Sequence, residues 1–157
     1  MDESVPGDRI RGWIDDDLVT SVDSYPDQAA ELNYVVELSN LRLHVIRREP
    51  DGPVLIGQQI EYGSDIRSRI QELSPVERNS LVARIRETLT AAPVVYGFHD
   101  EHGQNVPFED VHRIFVELRI YPDALSQHEL MRDLIDVWKV MRYLDDLVAL
   151  LDAVERR

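Results

Sequence analysis

A two-residue connection between two alternating segments constrains this chain more than any other feature. Residues 32–38 and 41–45 each alternate apolar with polar side chains, which predicts two β-strands that bury one face. Only Ser39 and Asn40 separate them, and Asn tolerates the left-handed backbone of a two-residue hairpin turn. The turn therefore predicts the register: Leu38 pairs with Leu41, Val36 with Leu43 and Tyr34 with Val45 on the core side, and Glu37 with Arg42 on the outer side.

A third strand is predicted after the turn sequence Pro-Asp-Gly-Pro at residues 50–53. Residues 54–62 alternate again. If the loop contains only those turn residues, Arg42 faces Glu61, and the outer side of the three strands carries a ladder of opposite charges. The apolar positions of the third strand are Val54, Ile56, Ile60 and Tyr62.

Two capping boxes mark the starts of helices. Ser74-Pro75-Val76-Glu77 places Pro at the first helical position and begins a helix that continues to about residue 90. Ser126-Gln127-His128-Glu129 begins the longest helix, which is predicted to run without interruption to about residue 154. Helical spacing also predicts shorter helices over residues 8–18 and 64–73.

Two more strands complete the predicted fold, at residues 94–98 and 111–121. The order is α-βββ-α-ββ-α, so the expected fold class is α+β, with an antiparallel sheet packed by helices. We expect one domain over residues 1–157, since 157 residues suffice for one sizeable core. Residues 1–7 are expected to be disordered, and residues 19–31 to form a connector with a short extended segment.

The charge balance is strongly acidic. The chain has 17 Lys and Arg against 30 Asp and Glu, a formal net charge of -13, and Lys139 is the one lysine. This composition resembles that of proteins from salt-adapted, GC-rich organisms such as haloarchaea, because in molar salt the Debye length falls to about 3 Å and self-repulsion is screened. A solvated acidic surface is therefore expected, and no basic stripe with interleaved aromatic residues favours a nucleic-acid partner.

The absence of cysteine excludes disulfides, thiolate nucleophiles and thiolate metal ligands. The acidic start, Met-Asp-Glu-Ser, lacks the basic and apolar regions of a signal peptide, and no apolar stretch approaches the roughly 20 residues of a membrane span. A cytoplasmic protein without a membrane partner is expected.

The last predicted helix carries two apolar stripes. The first contains Leu130, Leu134, Val137, Met141, Leu144, Val148 and Leu151. The second lies about 100° around the cylinder and contains Val140, Tyr143, Leu147, Leu150 and Val154. One sheet face cannot cover both stripes. Either the first helix, through Trp13, or a second copy of the chain covers the second stripe, which makes that stripe the candidate homodimer or partner surface.

The order of helix, three strands, helix, two strands and helix resembles the fold of type III secretion chaperones, shared by YbjN-like proteins and by small archaeal domains of unknown function. The resemblance covers nearly the whole chain and rests on element order and length. It implies a small acidic protein, often homodimeric, that binds another polypeptide without catalysis. No catalytic residue and no cofactor is implied. The uninterrupted last helix and the preference for Arg depart from that pattern.

One region contains residues that could bind a metal ion or act in catalysis. His99, His102 and His112 lie near several carboxylates and could supply metal ligands if the two late strands fold back on each other. A lone pair of histidines three residues apart matches no established metal motif, and no Gly-x-Ser-x-Gly or Gly-rich phosphate loop is present. The expected function is therefore a noncatalytic interaction module. The alternatives are a small metal-dependent or hydrolytic enzyme that uses these histidines, and a regulatory domain that binds a small ligand.

Overall fold

The computed structural model describes residues 4–155. Six strands form one antiparallel sheet in the order β1-β2-β3-β4-β6-β5, and the α+β fold class is confirmed. Two short 3-10 turns, Phe108–Asp110 and Pro122–Ala124, connect elements late in the chain. The elements are α1 (Gly7–Ile14), β1 (Ser21–Ser24), β2 (Leu32–Leu38), β3 (Leu41–Arg47), β4 (Val54–Glu61), α2 (Ser64–Glu72), α3 (Pro75–Ala91), β5 (Val95–His99), β6 (Arg113–Ile120), α4 (Gln127–Asp145) and α5 (Leu147–Glu155).

The hairpin of β2 and β3 has the predicted register. Ser39 and Asn40 have φ values of 43° and 69°, so both adopt the left-handed backbone that matches the twist of the strands. On the outer side, Glu37 and Arg42 pair as predicted, with Arg42 Nε 3.7 Å from Glu37 Oε2. The core-side pairs are confirmed as well: Leu38 with Leu41, Val36 with Leu43 and Tyr34 with Val45.

The register of β3 with β4 differs from the prediction by two residues. His44 pairs with Gly57, whereas a ladder that places Arg42 opposite Glu61 would require His44 opposite Gln59. The turn begins earlier than Pro50, because the Gly52 amide donates to the Glu49 carbonyl at 2.9 Å. The predicted charge ladder to Glu61 is therefore wrong. A shift of two residues leaves every side chain on its own face, so the alternation of the sequence cannot detect it.

Contact density divides the chain into two compact units, and the expectation of one domain remains a prediction. The first unit contains residues 1–58 and 117–139. Its sheet has one buried face, which α1 and α4 cover: Tyr34 Oη donates to the Gly7 carbonyl at 3.3 Å, and Trp138 Nε1 donates to the Leu38 carbonyl at 3.1 Å. Fully buried side chains form this core, among them Ile10, Ile14, Val36, Leu43, Val45, Leu130 and Leu134.

The second unit contains residues 59–116 and 140–157. Its helix α3 starts at the predicted capping box: the Glu77 amide donates to Ser74 Oγ at 3.2 Å, and the Ser74 amide donates to Glu77 Oε1 at 2.9 Å. Helix α5 packs against α2 and α3. Arg69 of α2 holds α5 through Asp152 and Glu155, at 2.8 Å and 3.0 Å.

The last helix is interrupted, contrary to the prediction. It ends at Asp145, and α5 begins at Leu147. The buried hydroxyl of Tyr62 donates to the Leu144 carbonyl at 3.0 Å, and in a continuous helix that carbonyl would accept from Val148. Burial raises the pKa of Tyr62, so its phenol stays protonated and keeps this bond. A hydrogen bond from a distant side chain is not visible in a periodic pattern.

The N-terminal predictions need two further corrections. Helix α1 ends at Ile14 and leaves Leu18 56% exposed, so Leu18 is not part of the apolar face. Gly7 is helical, although residues 1–7 were expected to be disordered; residues 1–3 lie outside the described residues. The connector contains the expected extended segment, which is the edge strand β1.

Candidate functional site

The first unit has a second sheet face, opposite the one that α1 and α4 cover. We name it the outer sheet face. Its middle rows follow from the register: Val35 lies between Asp23 and His44, and Ile46 lies beside Leu55. Its members are Ser21, Asp23, Asn33, Val35, Glu37, Arg42, His44, Ile46, Leu55 and Gly57.

Apolar side chains occupy the centre of the outer sheet face and remain partly exposed. Val35 in the middle of β2, Ile46 near the end of β3 and Leu55 near the start of β4 are all half-buried. By contrast, Val36 and Val45, their neighbours in sequence, are fully buried. In the described part of the first unit, α1 and α4 both contact the opposite side of the sheet.

Opposite charges border this apolar centre. Glu37 and Arg42 form an ion pair in which Arg42 is 71% exposed and Glu37 is 27% exposed. An exposed pair of this kind contributes little to stability, about 0 to 1 kcal/mol, so its charges are available to a partner. His44 adds a half-buried imidazole. The arrangement offers a shallow apolar surface with polar edges, which suits binding rather than bond chemistry.

Comparison with known sequences gives a family. The model of the family described as "Uncharacterized conserved protein (DUF2299)" matches residues 7–148. The chain belongs to the DUF2299 family. A crystal structure of an uncharacterized protein from Methanothermobacter thermautotrophicus is similar to this DUF2299 chain, with a TM-score of 0.70 and 20% identity over 96% of each chain. No curated protein matches.

The histidines named as candidate metal ligands do not converge in the DUF2299 chain. His99 stacks on Phe115, with ring centroids 6.0 Å apart. His102 is exposed in the loop, 3.4 Å from Glu101, while His112 Nε2 lies 3.2 Å from Arg67 Nη1. Between residues 4 and 155, no three His, Asp or Glu side chains are grouped so that they could hold a metal ion. Each imidazole has its own neighbour, and the proposed centre of an enzyme is not assembled.

The predicted dimer surface is largely buried within the chain. Val140, Leu147 and Val154 are 3%, 0% and 1% exposed, and only Tyr143 and Leu150 are half-buried. The second stripe does need cover, as the sequence indicates, but in the second unit the packing of α5 against α2 and α3 contributes it. The stripe therefore has cover within the chain, and both the dimer surface and dimerisation itself remain predictions.

Two buried charges were not predicted. Arg47 is 1% exposed at the end of β3 and forms a bidentate pair with Glu31, with distances of 2.7 Å and 3.0 Å. Asp133 is 3% exposed on α4, where burial and then the neighbouring Glu129 raise its pKa to about 6. Arg47 follows Leu43 and Val45 at intervals of two residues, so the alternation of β3 places its side chain on the core side. Sequence reasoning could have used this signal.

No described helix of the DUF2299 chain is both long and apolar enough to cross a membrane.

Proposed function

We propose that this DUF2299 protein is a noncatalytic interaction module that binds a partner polypeptide on its outer sheet face. The observation that supports the proposal is the cluster of partly exposed Val35, Ile46 and Leu55, on the face of the sheet opposite α1 and α4. Apolar side chains clustered on a sheet surface commonly mark an interaction site. The resemblance to secretion chaperones, which bind other polypeptides, supports the same function.

The size of the face favours a short segment of the partner. Four strands spaced by about 4.8 Å and about seven residues long present roughly 15 Å by 23 Å. A standard protein interface buries about 800 Å² on each side, which is more than twice that area. A single extended or helical segment fits the outer sheet face better than a folded domain does.

The charge of the chain favours a basic partner. With a formal net charge of -13, the protein attracts segments that carry Lys or Arg beside apolar residues. The carboxylates of the face include Asp23, which is exposed, and Glu37, which is 27% exposed. We propose a cytoplasmic interaction at high ionic strength, where apolar contact contributes more than long-range attraction because salt screens the charges.

Site-specific photo-crosslinking tests the proposal. A photoreactive amino acid replaces His44 in the centre of the face, and cells of the source organism that express the variant are irradiated. We expect an adduct with a different polypeptide. Ile46→Glu should abolish the adduct, because a carboxylate would be buried against an apolar partner. Val76→Glu is the matched control, since Val76 is apolar, 79% exposed and part of α3 in the second unit.

Three outcomes contradict the proposal or restrict it. An adduct with twice the mass of the chain would assign the face to a homodimer, which is the other partner that the composition and resemblance suggest. An adduct that persists in Ile46→Glu would locate binding elsewhere. The absence of any adduct, with normal folding of the His44 variant, would reject the outer sheet face as a binding surface.

A further inference from the structure

The break between α4 and α5 separates two segments that the sequence would join in one helix. Residues 126–157 contain no Gly and no Pro, the residues that commonly end or kink a helix. The apolar stripe continues across the break, since Leu144 is followed by Val148 at helical spacing. Asp146 alone separates the two helices. The sequence is therefore compatible with a straight helix as well as with the observed bend.

Contacts at the break favour the bent form. The Tyr62 hydroxyl donates to the buried Leu144 carbonyl at 3.0 Å, and a straight helix would give that carbonyl to the Val148 amide instead. Asp146 lies at the N-cap position of α5, because its carbonyl accepts from the Leu150 amide at 3.4 Å. The bend leaves Val148 45% exposed, although it belongs to the apolar stripe. The Tyr62 hydroxyl therefore takes the acceptor that a straight helix needs.

Helix α5 is attached to the second unit by contacts that a second copy of the chain can also supply. It packs against α2 and α3. Arg69 of α2 adds ion pairs with two carboxylates of α5, at 2.8 Å and 3.0 Å. These contacts do not depend on the covalent connection through Asp146. The side chains of α5 that are at most 1% exposed are Leu147, Leu151 and Val154.

We propose that two copies of the chain exchange α5: the helix straightens at Asp146, and α5 of each copy packs against α2 and α3 of the other. Exchange of an identical element buries the same apolar side chains in both forms, so the forms differ mainly in the hinge and in the entropy of association. A net charge of -13 on each copy opposes the dimer in dilute buffer, and molar salt screens that repulsion. The inference is independent of the outer sheet face and its partner.

Light scattering of the full chain in molar KCl, over a range of protein concentrations, measures the dissociation constant of the dimer. Asp146→Ala and Asp146→Gly remove the same charge and differ in helix propensity. Ala favours the straight helix, whereas Gly disfavours it and is the better N-cap of the bent form. Because each dimer contains two hinges, Asp146→Ala should have a dissociation constant at least about tenfold lower than that of Asp146→Gly.

Tyr62→Phe should also favour the dimer. It removes the hydroxyl that donates to Leu144, so the carbonyl gains a donor only when the helix is straight. We expect a dissociation constant about tenfold lower than that of the unmodified chain. Tyr143→Phe is the matched control, since it removes a hydroxyl from a half-buried Tyr beside Leu144 and should leave the dimer unchanged.

Crosslinking distinguishes exchange of α5 from a dimer that uses another surface. The chain has no Cys, so two introduced thiols define one crosslink. One copy carries Arg69→Cys and the other Glu155→Cys, at positions whose native side chains lie 3.0 Å apart. After the mixture is unfolded and refolded, a short bis-maleimide should join the two chains, and neither variant alone should be joined.

Three results would each overturn the exchange. The first is a monomer mass for the unmodified chain and for both Asp146→Ala and Tyr62→Phe at the highest soluble concentration. The second is equal dimer affinity of Asp146→Ala and Asp146→Gly. The third is a dimer that gives no crosslink between the two chains. Far-ultraviolet circular dichroism shows that each variant is folded before its mass is measured.

Discussion

The two faces of the sheet in the first unit have similar apolar side chains but opposite environments. On the inner face, Leu43 and Val45 are fully buried beneath α1 and α4. On the outer face, Ile46 and Val35 alternate with them along the same strands and stay partly exposed. The sequence of β3 alone does not distinguish the two, because Leu-Arg-Leu-His-Val-Ile is apolar on both sides near its end. The contacts of α1 and α4 make the inner face part of the core, while the outer face stays partly exposed.

The largest expected difference between the faces concerns stability. Leu43→Ala should lower the free energy of unfolding by about 2 to 5 kcal/mol, because it removes a fully buried side chain and leaves a cavity. Ile46→Ala on the outer face should lower it by no more than about 1 kcal/mol, since its side chain keeps contact with water. Chemical denaturation of both variants measures the difference. Similar losses would mean that the outer face is also part of the core.

Breaking an ion pair should also destabilise the protein more on the inner face than on the outer face. Glu31→Ala leaves Arg47, which is 1% exposed, without its partner. We expect a loss of about 3 kcal/mol, at the lower end for a buried pair because Glu31 is itself 30% exposed. Glu37→Ala is the matched control on the outer face, where Arg42 is 71% exposed, and it should cost at most about 1 kcal/mol. Equal losses would contradict the inner position of the Arg47 pair.

A buried carboxylate makes the stability of the unit depend on pH. The folded-state pKa of Asp133 is about 6, above the ordinary value of 3.8, so the folded chain binds this proton more tightly than the unfolded chain. This group's contribution is therefore most favourable below about pH 4 and is lost as the pH rises through about 6.

Asp133→Asn should remove that dependence. Relative to the unmodified chain, the free energy of unfolding of the variant should be higher by on the order of 2 kcal/mol at pH 7 and should change little at pH 4. Thermal unfolding measured across this range checks the difference. Asp123→Asn, an exposed carboxylate of the same unit, is the control for the loss of one negative charge. A constant gain from Asp133→Asn would show that Asp133 does not titrate in this range.

The two hairpin connections show how far the sequence predicts this fold. Ser39 and Asn40 leave room for only one turn, and the register of β2 with β3 follows from it. The connection from Arg47 to Val54 has several polar residues, and a turn can begin at more than one of them without moving any side chain to the other face. Registers are predictable where a loop is short, and ambiguous by two residues where it is long.

The candidate sites were less predictable than the fold, because they depend on tertiary contacts between elements that are distant in sequence. The apolar stripe that ends at Val154 was identified from its spacing, but its cover comes from helices distant in sequence. The contact of Arg67 with His112 joins residues 45 positions apart, a separation for which single-sequence periodicity gives no signal. The outer sheet face could be predicted in part, since the pairing of Glu37 with Arg42 indicated which side faces solvent.

The smallest expected effect concerns the Ser39-Asn40 turn, which sets the register of β2 with β3 and therefore which side chains lie on each face. Asn40 has a φ of 69°, a conformation that Asn tolerates, Gly adopts freely and Ala disfavours. Asn40→Ala should therefore lower the free energy of unfolding by about 1 kcal/mol, and Asn40→Gly should change it by a few tenths of a kcal/mol at most.

Because β2 and β3 alternate with a period of two, a turn that slipped by one residue would carry Ile46 and His44 into the core. Chemical denaturation measures the change in the free energy of unfolding. Crosslinking from position 44 in Asn40→Ala reports the register of β2 with β3. The adduct should persist, because the burial of Val36 and Leu43 stabilises the register more than the turn does. Loss of the adduct in a folded Asn40→Ala protein would show that the turn, rather than the core, holds the outer sheet face in place.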